Sequence, residues 1–179
     1  MVVFDSDFLL AALDAKASLP RDPKTGKAIG KARERVEHLI DTLSSSRTRM
    51  LIPAPVLAEV LVNAGSAVGD YIKNLRAVTA MQVGDFDMRA AVECAQLVGA
   101  AIKSGAKRSK SVADQPWQKV KIDRQIVAIA KVHGAKTIYT CDEGLSALAR
   151  DEGLQVLHVA DLPVPPVKDQ PDMFEETKR

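Results

Sequence analysis

The strongest constraint on the fold is an alternation of short, apolar, β-branched runs with longer segments whose apolar residues recur at helical spacing. The runs "VVF" (2–4), "RMLIP" (49–53), "AVTAMQV" (77–83), "KTIYT" (136–140) and "LQVLHV" (154–159) read as strands. Between them, "FLLAALDAKA", "APVLAEVLVNA", "VGDYIKNLR", "DFDMRAAVECAQLVGAAIK", "KVKIDRQIVAIAKVHG" and "DEGLSALARDEG" read as helices. In "KARERVEHLIDTLSSS", Val36, Leu39, Ile40 and Leu43 fall on one helical face. The alternation predicts an α/β fold, with a central parallel sheet covered by helices on both faces.

A chain of 179 residues suits one domain with a core of its own. Residues 1–162 form that unit, and the segment 163–179, with four prolines and little apolar content, reads as an extended or disordered tail. Aromatic residues make up only 4%, so the core must be built from Ala, Val, Leu and Ile. Two cysteines, Cys94 and Cys141, have no metal-ligand spacing and read as reduced thiols. Asp5 comes too early for a signal peptide, and no apolar run approaches a membrane span, so a soluble, cytoplasmic protein is expected.

Four acids stand where a structural protein has little use for them. Asp5 directly follows the first strand and Asp142 follows "TIYT", which puts both at the carboxyl edge of a parallel sheet, where open α/β folds bind ligands. Glu59 is the one ionisable residue between Leu51 and Val62; in a helix so apolar it is expected to be buried and to need a cation. Asp123 shares a helix face with Ile126, Val127 and Ala130, while Lys121, Arg124, Gln125 and Lys131 define the polar face.

Carboxylates crowded together raise one another's pKa unless cations neutralise them. With no His or Cys cluster, Mg²⁺ or Mn²⁺ suits such an oxygen site better than zinc. One such ion, or a pair roughly 3.5–4 Å apart, can activate water and stabilise the leaving oxygen of a phosphodiester. That is nuclease chemistry.

The segments "VVFDSDFLL", "IPAPVLAEVL", "KIDRQIVAIA" and "TIYTCDEGL", in that order, resemble the PIN-domain family, and within it the VapC-type toxins of bacterial toxin–antitoxin pairs. The resemblance spans roughly residues 1–160. It implies a PIN-like α/β/α sandwich with a central parallel sheet and a metal-dependent ribonuclease site. Asp5, Glu59, Asp123 and Asp142 then match the family's four acids in order and act as catalytic and metal-holding residues. Ser6 and Thr140 match small hydroxyl positions that orient carboxylates or water. The resemblance also implies an RNA substrate, a small antitoxin partner and a homodimer. The chain departs from the family at Gly144 and Leu145, where a further acid and an aromatic often stand, and in its longer segments around 15–35 and 104–118.

Plainer roles compete with these. Asp142 and Asp123 could serve a helix N-terminus, and Asp7 either lines the site outside the four acids or, the favoured reading, caps a helix starting at Phe8. The basic stretch from Lys103 to Lys121, with Lys107, Arg108, Lys110 and Trp117, could bind RNA phosphates and stack a base, or simply be solvated. "TGKAIGKA" has the wrong spacing for a phosphate loop. His38, His133 and His158 are scattered. Two other functions fit parts of the pattern: a haloacid-dehalogenase-like phosphatase with Asp5 as nucleophile, and a non-catalytic RNA-binding module.

Overall fold

The computed structural model describes residues 1–14, 17–22, 25–103 and 116–166. Lys107, Arg108 and Lys110, and the tail from residue 167, lie outside them. Five strands, β1 (Val2–Phe4), β2 (Met50–Pro53), β3 (Met81–Gly84), β4 (Thr137–Tyr139) and β5 (Gln155–Leu157), form one sheet in the order β3-β2-β1-β4-β5. Every pairing is parallel. This is the predicted α/β architecture; β1, β2, β4 and β5 fall within their predicted runs, and β3 extends one residue past its run, to Gly84.

Seven α-helices are formed among the described residues: α1 (Ser6–Leu13), α2 (Ala32–Ser45), α3 (Ala54–Ala64), α4 (Val68–Ala77), α5 (Met88–Lys103), α6 (Trp117–Val132) and α7 (Glu143–Asp151). Right-handed crossovers put α1–α4 on one face of the sheet and α5–α7 on the other. The packing agrees, since α1 lies against α2 and α3, whereas α6 lies between α5 and α7. Gly134 and Gly153, both with positive φ, end α6 and α7 where the sequence predicts a stop.

Val3, Phe4, Leu51, Ile52 and Ile138 are fully or almost fully buried, as strands covered on both faces must be. Three of the seven aromatics are concentrated in one place. Phe4, Phe8 and Tyr139 pack together with ring centroids 5.3–5.9 Å apart, directly beneath the carboxyl edge of β1 and β4. Gly84, at the end of β3, lets α6 approach closely; a Cβ there would stand 2.8 Å from Ile129 Cγ2 and 2.9 Å from Leu51 Cδ1.

Three local expectations differ from the structure. Asp5, not Asp7, caps α1, which begins at Ser6, so Asp7 lies inside the first turn. Glu59 is exposed, because α3 buries only the stripe of Val56 and Val60. Arg124 is buried at 3% exposure, because α6 is covered by α5 and α7 and keeps little of a polar face.

Candidate active site

The strand order reverses between β1 and β4, so the crevice at their carboxyl ends is the switch point of the sheet. Register places Phe4 opposite Tyr139, which makes Asp5 and Thr140 the next residues out on adjacent strands. The Asp5 amide donates to the Tyr139 carbonyl at 3.0 Å, continuing the ladder one residue beyond the strand. Both Asp5 oxygens are engaged. Oδ1 accepts the Ser6 amide at 2.8 Å and Oδ2 accepts the Thr140 hydroxyl at 2.6 Å. Thr140 Oγ1 in turn accepts the Asp142 amide at 3.0 Å.

Asp142 caps α7 by accepting the Leu145 amide at 2.8 Å on Oδ1. Capping and a site role coexist, because Oδ2 faces the crevice and takes Lys119 Nζ at 2.7 Å. Lys119 also lies 3.6 Å from Asp123 Oδ1, one helical turn along α6. Asp123 Oδ2 is buried without a hydrogen-bond partner.

Asp5, Ser6, Asp7, Glu59, Lys119, Ile122, Asp123, Ile126 and Asp142 line one open cleft of about 400 Å³. All four acids singled out from the sequence therefore meet, together with Ser6, while Thr140 stands behind Asp5. Lys119 is an addition, and Asp7 lines the cleft as well, the less favoured of its two expected roles. In the sequence Lys119 stands as one charge of a basic stretch, and its position four residues before Asp123 on a helix is the signal that marks it. Trp117 is half-buried, with Lys121 Nζ 5.6 Å and Arg124 Cζ 5.5 Å from its ring centroid, so cations already lie against the ring.

The electrostatics of the cleft follow from burial and crowding. Burial raises the Asp5 pKa to about 7, with Asp7 and Asp142 adding repulsion, against the lowering effect of the Thr140 and Ser6 hydrogen bonds. Asp123 is raised to about 6, again chiefly by burial, with Lys119 opposing and Asp142 and Glu59 assisting. Asp7 is raised by burial and by Asp142 and Glu59. Burial works against the Asp142 charge too, but the Lys119 hydrogen bond and the Leu145 amide outweigh it and hold its pKa below the usual range. Lys119 is desolvated, yet its acid neighbours hold its pKa above the ordinary lysine value.

Carboxylate oxygens with raised pKa values, one of them buried without a partner, suit a hard divalent cation that would supply the missing charge. Among the described residues no three such acids form a preassembled cage, and Lys119 Nζ stands between Asp123 and Asp142. The residues fit the ion, provided that Lys119 yields.

Several solved structures, the following three among them, contain chains of the same fold. One is FitAB bound to an IR36 DNA fragment, with a TM-score of 0.59 and 18% identity, covering 91% of this chain and 98% of the other. A second is DNA-bound VapBC from Salmonella typhimurium, with a TM-score of 0.52 and 16% identity over 88% and 97% of the two chains. The third is VapBC2 from Rickettsia felis on a promoter DNA fragment, with a TM-score of 0.56 and 13% identity over 88% and 98%. The fold is PIN-like. No protein-family model and no curated protein matches the sequence, and at these identities the likeness is one of fold alone. Among the described residues no helix is long and apolar enough to cross a membrane.

Proposed function

We propose that this chain is a Mg²⁺- or Mn²⁺-dependent endoribonuclease, the toxin of a VapC-type toxin–antitoxin pair. The observation that carries the reading is the meeting of Asp5, Glu59, Asp123 and Asp142 in one cleft at the switch point of a PIN-like sheet. These four acids would hold the ion. When bound, it supplies the positive charge that lowers the pKa of water and stabilises the oxygens of a phosphodiester under attack. Thr140 and Ser6 lock Asp5 in place, so the carboxylate needs no reorganisation to serve as a ligand. The acids repel RNA, so cations must offset them, and Lys107, Arg108 and Lys110 of the basic stretch are assigned to that task; Trp117 and Lys121 are not, because helical spacing puts them on the face of α6 opposite the cleft-lining Lys119, Ile122, Asp123 and Ile126.

A phosphatase with Asp5 as nucleophile is less consistent with this geometry. It gives no task to Glu59 and Asp123, which line the same cleft as Asp5. A non-catalytic module gives no reason for burying Asp123 with an unpartnered oxygen.

The neighbours of known structure are FitAB and VapBC assemblies on DNA, which supports a small antitoxin partner for this chain as well. Homodimerisation and a cytoplasmic location belong to the same reading. The test is to incubate the purified protein with tRNA and rRNA, with Mn²⁺ and with chelator. Cleavage confined to the Mn²⁺ sample is expected; turnover of phosphomonoesters with RNA left intact would replace this reading by the phosphatase.

A further inference from the structure

Among the described residues lining the acid cleft, Lys119 is the one cation. Its ammonium spans Asp142 at 2.7 Å and Asp123 at 3.6 Å, and its charge also acts on Asp5 and Asp7. A divalent ion that uses the Asp123 and Asp142 oxygens must occupy much the same space, and two cations on the same oxygens repel. Lys119 is not trapped. Its side chain is 38% exposed, so it can turn to the open side of the cleft without crossing the core.

The direction in which it turns has a chemical reason. Asp5, Asp7, Glu59, Asp123 and Asp142 carry more negative charge than one divalent ion cancels, so the loaded cleft still repels a polyanion. An ammonium at its mouth corrects that, and it offers three donors to phosphate oxygens. Beside it Ile122, 43% exposed, and Ile126 provide an apolar wall against which a nucleoside can rest.

We propose that Lys119 is a substrate-positioning residue, which gives up Asp142 and Asp123 when a divalent ion binds there and turns its ammonium onto a phosphate of the RNA. This rests on the nuclease reading above. In the absence of the ion, Lys119 serves as the internal counter-charge of the same acids.

The test uses the full chain as wild type, Lys119→Met and Lys119→Arg. Mn²⁺ is titrated calorimetrically, uridine 5′-monophosphate is then titrated into the Mn²⁺-loaded proteins, and tRNA cleavage gives kcat and KM. Lys119→Met should bind Mn²⁺ at least as tightly as wild type, because its competitor is gone. Its affinity for the nucleotide should fall about tenfold or more, the size of a lost charge-assisted contact, with the loss appearing in KM rather than kcat. Lys119→Arg should restore most of the nucleotide binding. Unchanged nucleotide affinity in Lys119→Met overturns the proposal, as does a loss of Mn²⁺ binding alongside it, which would make Lys119 only a scaffold for the acids. In either case wild type still binds Mn²⁺ and cleaves RNA; a wild type that does neither sinks the nuclease reading itself.

Discussion

The Thr140 hydroxyl donates to Asp5 Oδ2 at 2.6 Å across 135 residues of chain, joining the two strands on either side of the switch point. Thr140 is fully buried and the same oxygen accepts the Asp142 amide, so one side chain fixes two of the four acids. Thr140→Val keeps the shape but strands two polar groups. A loss of about 1–3 kcal/mol in urea unfolding is expected, with RNA cleavage reduced further than stability accounts for. Thr140→Ser should retain both properties.

The raised pKa values of Asp5 and Asp123 make stability depend on pH in a definite direction. Their folded values, about 7 and about 6, exceed the ordinary carboxylate value of 3.8, so the folded chain binds protons more tightly than the unfolded one between those limits. Their contribution is fully present below about pH 4 and is lost as pH rises through 6 and 7. Asp142, held low, acts oppositely, and its contribution disappears only as pH falls below the ordinary carboxylate range. Without divalent ions the protein should therefore be more stable at pH 5 than at pH 8, by a difference on the order of 3 kcal/mol. Asp5→Asn should flatten the profile, and Mg²⁺ should stabilise most at pH 8, where its ligands are ionised. Thermal melts across this range check the sign.

Glu59 is exposed, so its removal should affect electrostatics and not the core. Glu59→Gln is expected to change unfolding free energy by no more than about 0.5 kcal/mol. Because Glu59 pushes both Asp7 and Asp123 upward, carboxyl NMR titrations of the variant should show both acids ionising at lower pH, and Mn²⁺ should bind more weakly.

Gly84 controls how closely α6, the carrier of Asp123 and Lys119, approaches the sheet. A methyl group there meets Ile129 and Leu51, which are both fully buried and cannot turn aside. Gly84→Ala should destabilise the protein by about 1–3 kcal/mol, and by displacing α6 it should weaken Mn²⁺ binding as well.

The inner strands β1, β2 and β4 were legible in the sequence because strands covered on both faces leave nearly pure apolar runs, whereas the edge strands β3 and β5, part-exposed and carrying Gln82 and Gln155, show a weaker pattern; the glycines ending α6 and α7 mark their own positions. Asp5 and Asp142 were legible for the same reason, since an acid directly after such a run, as Asp5 is, or two residues after it, as Asp142 is, falls at the carboxyl edge. The burial of single helix positions was not. Glu59 lies in an apolar segment yet faces outward, because α3 is covered along one stripe, and Arg124 is buried because α5 and α7, the helices before and after α6 in the chain, fold back over it, a packing that the α6 sequence alone does not encode. Lys119 shows the limit most clearly. Its i,i+4 relation to Asp123 is local, but its contact with Asp142 depends on the crossover that brings β4 beside β1.

The central claim is that Asp5 and Asp123, distant in sequence, grip one divalent ion together. Calorimetric titration of Mn²⁺ at pH 8 into wild type, Asp5→Asn and Asp123→Asn tests it most directly. Saturable binding by wild type, weakened at least about tenfold in each variant while both stay folded by circular dichroism, is the predicted result. Equal Mn²⁺ affinity in all three proteins would contradict it.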